Sequence, residues 1–492
     1  MPSLTTLEAF NLAFNHHREE RLVDAEELYR KILKVQPGHF GAHINLGEIC
    51  RVTGRLEEAI AEFQQAISIN EDLPEGHYNS GLALIGLRRY EEAIMAFKAA
   101  IKLRPAHSQA YNNLGNLFFE AGRFDEAKTA FYRAIEIKPD FAEARNNLGN
   151  LFMEEGRLDD ATSTYLHALE SRLDYADARL NYGLLLLLRG DFVRGWPYYE
   201  ARWGLSKAAV RKFSQPMWNG EILAGKRILV HAEQGFGDAI QFVRYAPLIA
   251  KRGGKIVIEC PGTLVELFGS VKDAPEVIAA GDPLPPFDVH IPMLSQPFIF
   301  RTTLKTIPNE IPYLLAPPDR CVTWARRLGE DRSRPRVGLI CAGSTEHWKS
   351  RRRNISPEVM LPLASIPGVD FFSLQLPSET NGVPWQLGSH GVIDHTKHIK
   401  DFADTAALIE QLDLVISVDT AVAHLAGALG RPVWILLPFV PDWRWGLESE
   451  TTPWYPTMRL FRQPALHDWD TVIKRVAEEL RELAEAHAAN HP

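Results

Sequence analysis

The chain has 492 residues, of which 46% are apolar and 24% charged, and a formal net charge of −8. This balance excludes a disordered chain, argues against nucleic acid as a general partner, and leaves room for two to four domains. Most of the negative balance falls on the first 204 residues, where a solvated surface accounts for it. Cys50, Cys260, Cys321 and Cys341 lie far apart with no CxxC spacing, which points to a reducing compartment rather than a disulfide framework. The N-terminal MPSLTTLEAFNLAFNHHREE has neither the basic nor the apolar region of a secretory leader. The longest aliphatic run, Leu184–Leu188, is too short to span a bilayer. A cytoplasmic protein without a transmembrane segment is expected.

Five asparagines stand 34 residues apart: Asn45, Asn79, Asn113, Asn147 and Asn181. Two positions after each comes a glycine: Gly47, Gly81, Gly115, Gly149 and Gly183. Ala59, Ala93, Ala127 and Ala161 keep the same register, as do the aromatics Phe63, Phe97, Phe131, Tyr165 and Tyr199. Pro37, Pro105 and Pro139 end their repeats, since proline stops a helix. This period resembles the tetratricopeptide repeat, a pair of antiparallel helices stacked into a solenoid. Six repeats are expected, at 6–39, 40–73, 74–107, 108–141, 142–175 and, in worn form, 176–204. Such arrays bind other proteins. The asparagines fall on the first helix of each repeat, so the resemblance implies a ladder along a groove. A carboxamide both donates and accepts, and can pair with the backbone of an extended protein acceptor. Bonding between adjacent repeats is the competing use.

After Trp203 the register is lost, and 205–225 reads as a connector. RILVHA (227–232) reads as a buried strand, EQGFG as a loop, DAIQFVRYAPLIAKRG (238–253) as a helix and KIVIEC (255–260) as a second strand. That is a βαβ unit and implies a parallel sheet. The proline-dense stretch 281–318 is expected to be irregular or edge structure. A second α/β set follows: RVGLICAG (336–343), a basic loop (344–354), DFFSLQL (370–376), a helix around Ala403–Gln411, LVISVD (414–419), TAVAHLAGALG (420–430) and PVWILLP (432–438). The C-terminal DWDTVIKRVAEELRELAEAHA is an amphipathic helix, with Asp470 as its expected N-cap. The expected architecture is an all-α solenoid at 1–204, then an N-terminal α/β lobe at 205–330 and a C-terminal lobe at 331–492, the size of two nucleotide-fold halves.

The chemistry concentrates in three segments. In VDTAVAHLAGALGRPVWILLP (418–438), Asp419 and Thr420 stand where a strand ends and a helix begins. Unpaired amides and the positive end of the helix dipole favour an anion there. His424 lies one turn on, although a capped helix with a core histidine reads the same way. At Asp419, Thr420, His424, Leu425, Ala428, Leu429 and Pro432 the segment resembles the nucleotide-diphosphate-sugar site of the heptosyltransferase-like family, glycosyltransferase family nine. It departs at Ala421, where that family has glycine. The resemblance covers roughly 225–465 and implies a GT-B unit, two facing Rossmann-like lobes with the donor in the C-terminal one. In EQGFGDAIQ (233–241), Gly235 and Gly237 allow a tight turn, and Asp238 falls at the helix start. The resemblance implies that Asp238 is the catalytic base. An N-cap role is the alternative, and Glu233 and His231 are next in line as bases. In GSTEHWKSRRRNISPE (343–358), Lys349, Arg351, Arg352 and Arg353 crowd one loop. Fixed cations stabilise a departing diphosphate, and Lys349 and Arg353 are the chosen pair.

The cluster Trp443, Trp445, Trp454 and Tyr455 reads as packing or as the wall of a sugar or base pocket. The one Asp-x-Asp of the catalytic half, Asp468-Trp469-Asp470, opens a helix, and no metal motif is present. No metal or cofactor is expected, the nucleotide sugar being a substrate. The domain order is similar to that of the protein O-linked N-acetylglucosamine transferases, which implies a protein acceptor recruited by the repeats but not the same sugar. The expected function is inverting, metal-independent transfer of a sugar from a nucleotide-sugar donor to an acceptor hydroxyl. Transfer to a lipid-linked or free glycan is one alternative. The other is a non-catalytic interaction protein with a degenerate second half. The sequence names neither the sugar, the base, the acceptor nor the oligomeric state.

Overall fold

The computed structural model describes residues 5–205, 211–273, 276–343, 353–376 and 391–490. The chain divides into two compact units, Met1–Ala178 and Arg179–Pro492.

The first unit is a run of paired helices: α1 (Thr6–Arg18), α2 (Leu22–Val35), α3 (Phe40–Val52), α4 (Leu56–Ile69), α5 (Pro74–Gly86), α6 (Tyr90–Leu103), α7 (Ser108–Glu120), α8 (Phe124–Ile137), α9 (Ala142–Glu154) and α10 (Leu158–Ser171). The glycine series has a steric cause. A Cβ at Gly47, Gly81, Gly115 or Gly149 would stand 2.6, 2.7, 2.6 or 2.5 Å from a ring carbon of Phe63, Phe97, Phe131 or Tyr165 respectively, the aromatic of the partner helix. Those rings are buried, and so are the alanines one turn before them, Ala59, Ala93, Ala127 and Ala161. These four repeats therefore pack a ring against bare backbone, and the pattern recurs because each of them solves the same local problem. Arg55, Arg89, Arg123 and Arg157 repeat too, each paired with the carboxylate three residues on, Glu58, Glu92, Glu126 or Asp160. Such exposed pairs contribute little stability.

The division falls inside α11 (Ala176–Leu188), the first helix of the last pair, and α12 (Phe192–Tyr199) follows in the second unit with a 3-10 turn at Glu200–Gly204. Leu185–Leu188, within the aliphatic run, are buried. The first lobe is a parallel sheet of β1 (Arg227–His231), β2 (Lys255–Cys260), β3 (Glu276–Ala279) and β4 (Val289–Pro292), in the order β3-β2-β1-β4. The edge strand β4 comes from the proline-dense stretch, as expected of a segment poor in ladder donors. The helix expected over 238–253 is broken into α13 (Phe236–Phe242), a 3-10 turn at Val243–Tyr245 and α14 (Ala246–Lys251). Pro247 is the reason: it has no amide hydrogen to continue the ladder, and it starts α14 instead. α15 (Val265–Phe268), α16 (Gln296–Ile299) and α17 (Pro318–Leu328) complete the lobe.

The second lobe contains β5 (Arg336–Ile340), β6 (Asp370–Ser373), β7 (Ile393–Asp394), β8 (Leu414–Val418), β9 (Val433–Leu437), β10 (Thr451–Thr452) and β11 (Tyr455–Arg462), in the order β10-β11-β9-β8-β5-β6-β7. Its pairings are parallel except β10 with β11. The helices are α18 (Pro357–Ala364), α19 (Phe402–Ile409), α20 (Ala421–Ala428) and α21 (Trp469–Asn490). A tetratricopeptide-type helix array thus precedes two Rossmann-like lobes of the GT-B kind. One cap differs from expectation. Asp468, not Asp470, accepts the Thr471 amide at 3.0 Å, because α21 already begins at Trp469 and places Asp470 inside its first turn. Among the described residues no helix is long and apolar enough to cross a membrane.

Candidate active site

The strand β8 ends at Val418, and the chain turns through Asp419 and Thr420 into α20. Thr420 is the N-cap, in extended geometry, and its hydroxyl accepts from the Ala423 amide at 3.4 Å. Ser417 Oγ donates to the Val418 carbonyl at 2.6 Å, so its contact of 3.0 Å with Thr420 uses the threonine hydrogen. The Thr420 hydroxyl is therefore consumed inside the turn. The groups that this helix start leaves for a ligand are the amides of the half-buried Ala421 and Val422, which lack intrahelical partners.

Asp419 and His424 are both buried. His424 Nδ1 lies 2.9 Å from Tyr455 Oη, and Nε2 lies 3.6 Å from Asp419 Oδ1. Burial pushes the Tyr455 phenol well above its ordinary pKa, so it stays protonated and can donate to Nδ1. The hydrogen-bond pattern then assigns the ring hydrogen to Nε2, facing the carboxylate. Trp445 stacks on His424 with ring centroids 5.4 Å apart. Burial alone would raise the Asp419 pKa. His424, then Arg353 and Arg444, outweigh it and hold the carboxyl below the usual carboxylate range.

α13 of the first lobe packs directly on α20 of the second. A Cβ at Gly237 would stand 3.0 Å from His424 Cδ2 and 3.4 Å from Ala421 Cα. Glycine at 237 thus suits a close helix approach, since any side chain there would crowd His424 and Ala421. The turn-forming reason expected for Gly235 and Gly237 does not hold, because neither has a positive φ, and a Cβ at Gly235 would meet only Asp238 Oδ2 at 3.4 Å. Asp238 is the third residue of α13. Its Oδ2 accepts the Gly235 amide at 3.1 Å, so the capping role is real. Its Oδ1 is held by Arg444.

Nothing in the sequence around Arg444 marks it as a partner of Asp238. It sits within the flagged aromatic cluster, whose Trp443, Trp445, Trp454 and Tyr455 are all buried. The other second-choice bases are sequestered. The Glu233 carboxylate is gripped by Arg202 at 2.9 and 3.1 Å and by the Leu294 amide at 3.0 Å. Burial pushes the His231 pKa down to about 3, with His290 and Arg211 adding to the effect. Of the basic loop, Arg353 is described and lies beside Gly343, where a Cβ would stand 3.0 Å from its Nη2. Lys349, Arg351 and Arg352 lie outside the described residues. Of the asparagine series, Asn113 Nδ2 donates to Tyr78 Oη at 3.2 Å and Asn147 Nδ2 to Asn112 Oδ1 at 3.0 Å, both in the preceding repeat. Asn45, Asn79 and Asn181 are half-buried like them.

Residues 47–87, 78–143 and 118–180 match tetratricopeptide repeat families. Residues 400–437, from α19 to β9, match glycosyltransferase family 9 (heptosyltransferase). Protein FlbA of Caulobacter vibrioides is 29% identical over 343 residues, 61% of this chain and 54% of that protein. The chain thus spans about half the length of this curated relative. The solved structure of MamA shares 26% identity, covering 33% of this chain and 96% of that one, with a TM-score of 0.32. That of pilF from Pseudomonas aeruginosa shares 20%, covering 41% and 91%, with a TM-score of 0.37. The chain therefore carries tetratricopeptide repeats followed by a glycosyltransferase family 9 segment, in that order.

Proposed function

We propose that this chain transfers a sugar from a nucleotide-sugar donor to an acceptor hydroxyl, with inversion and without a metal. One observation carries the reading: the family 9 segment contains the Asp419–Thr420–His424 turn, and α13, the helix that bears Asp238, is packed against it from the other lobe. The donor diphosphate docks at the start of α20, on the amides of Ala421 and Val422, with Arg353 and Lys349 as its cations. Thr420 and His424 act by shaping that turn. Asp238 takes the proton of the acceptor hydroxyl as its oxygen attacks the anomeric carbon. The anomeric C–O bond breaks, and the nucleoside diphosphate leaves with the electron pair, its charge met by the helix amides and the cations. The acceptor is a protein held by the repeats, the asparagine carboxamides pairing with its backbone.

The test is full-length protein with a panel of nucleotide sugars, with and without candidate acceptor proteins, read by intact mass. Sugar mass added to a protein is expected, and Asp238→Asn should lower the rate by about 10²–10⁴-fold, the usual worth of a positioned base. Transfer to free or lipid-linked glycans only would overturn the protein acceptor. No turnover of any donor would overturn the enzyme.

A further inference from the structure

Arg444 is a buried cation whose three guanidinium nitrogens are all committed. Nη2 reaches Asp238 and Nε reaches Gln241 Oε1, both from the opposite lobe, while Nη1 reaches Asp442 at 2.8 Å. The plane lies over the ring of Trp443, 4.5 Å from its centroid. Asp442 also accepts the Arg444 amide at 3.1 Å, so the side chain and its own turn are fixed by one carboxylate. The platform below is built by the last repeat helix: Trp196 meets Trp443 edge to face at 5.2 Å, and the Trp196 indole donates to Thr302 O of the first lobe at 2.9 Å.

We infer that Arg444 is a positioning residue that holds the Asp238 carboxylate in its working orientation, on a platform supplied by the end of the repeat array. This rests on the reading of Asp238 as the base of a glycosyl transfer. A surface ion pair would be a poor candidate for such a role. Here the arginine side chain is only 9% exposed and the carboxylate half-buried, the guanidinium is anchored at its other two nitrogens and lies over a tryptophan ring, and it cannot follow a wandering carboxylate. One carboxylate oxygen is set by Arg444 and the other by the Gly235 amide, so the direction of the free lone pairs is determined. Arg444 takes no proton and touches no reacting atom. It acts through Asp238.

A pair that merely joins the lobes would contribute stability, and its loss would add to the loss of the base. A positioning role predicts otherwise. In the full chain, Arg444→Gln should lower kcat by about 10–100-fold, the cost of a base displaced by about an ångström, with donor KM changed less than threefold. The double variant Asp238→Asn/Arg444→Gln should be no slower than Asp238→Asn alone, since a residue that works through another has nothing left to do once that one is gone. Adding guanidinium ion to Arg444→Ala should recover part of the rate, and should recover none in the Asp238→Asn background. Arg444→Lys and Asp442→Asn supply milder variants if Arg444→Gln does not fold. Multiplicative losses in the double variant, or an unchanged kcat in a folded Arg444 variant, overturn the inference while leaving glycosyl transfer standing. A wild-type chain that turns over no nucleotide sugar overturns the transfer reading, and this inference falls with it.

Discussion

Asn79→Ala separates the two uses of the asparagine series. Asn113 and Asn147 each donate to the preceding repeat, so part of their hydrogen-bonding capacity goes into holding the array together. Asn79 makes no such bond among the described residues, and it is half-buried at the same register position. A carboxamide that donates to and accepts from an acceptor backbone makes two contacts, each worth about 0.5–1.5 kcal/mol net. Their loss should therefore weaken protein binding by about 1–3 kcal/mol, or roughly 5–150-fold. The melting temperature of Asn79→Ala should stay within about 1 °C of wild type, since no hydrogen bond among the described residues is lost. Asn113→Ala and Asn147→Ala should each cost about 0.5–1.5 kcal/mol of stability, a fall of roughly 1–6 °C for a unit of this size. The assays are titration calorimetry against an acceptor protein that gains sugar mass, and thermal unfolding of the full chain. Unchanged affinity in Asn79→Ala, with lowered melting in the other two, would show that the series binds repeat to repeat and not to an acceptor.

Thr420→Val keeps the shape of the turn but removes the hydroxyl that closes it, and should cost about 1 kcal/mol of stability. Nucleoside-diphosphate affinity by calorimetry should fall less than threefold, and a tenfold fall would mean that the hydroxyl touches the ligand. Glu233→Gln leaves the buried Arg202 short of a counter-charge and should lower stability on the order of 3 kcal/mol in denaturant unfolding. Its rate per folded molecule should be unchanged, and a base-like loss of 10²-fold or more would reassign the proton acceptor. In Gly115→Ala the helix-propensity gain of about 1 kcal/mol is outweighed by about 1–3 kcal/mol of overpacking against Phe131. Thermal unfolding should show a net loss that vanishes when the same change is made in a Phe131→Leu background.

What the sequence disclosed and what it hid divide along the distance between partners. The repeats were legible because glycine and aromatic meet within one helix pair, so the constraint recurs in the chain as it recurs in space. The Asp419–Thr420–His424 turn was legible because strand, cap and helix follow one another without interruption. Pairings across the two lobes have no such local trace. Arg444 stands 206 residues from Asp238, and in the sequence it is hidden among aromatic neighbours. The sequence suggests a local reason for Gly237, a tight turn, whereas the structure sets it against the backbone of Ala421 and the ring of His424 in another lobe. Both residues nevertheless left the same kind of mark. Each is a type that its immediate surroundings do not call for: a glycine where φ is ordinary, and an arginine between two buried tryptophans. A buried guanidinium must have carboxylate or carbonyl partners, and a helical glycine costs about 1 kcal/mol against alanine unless something fills the space beside it. Neighbours in the chain do not meet either requirement in full: Asp442 takes Nη1 of Arg444, and Nε and Nη2 find their partners only across the lobes. The pair of misfits therefore points to one contact surface, and in this fold it is the surface where α13, the helix that bears Asp238, meets α20 and its Asp419–His424 turn.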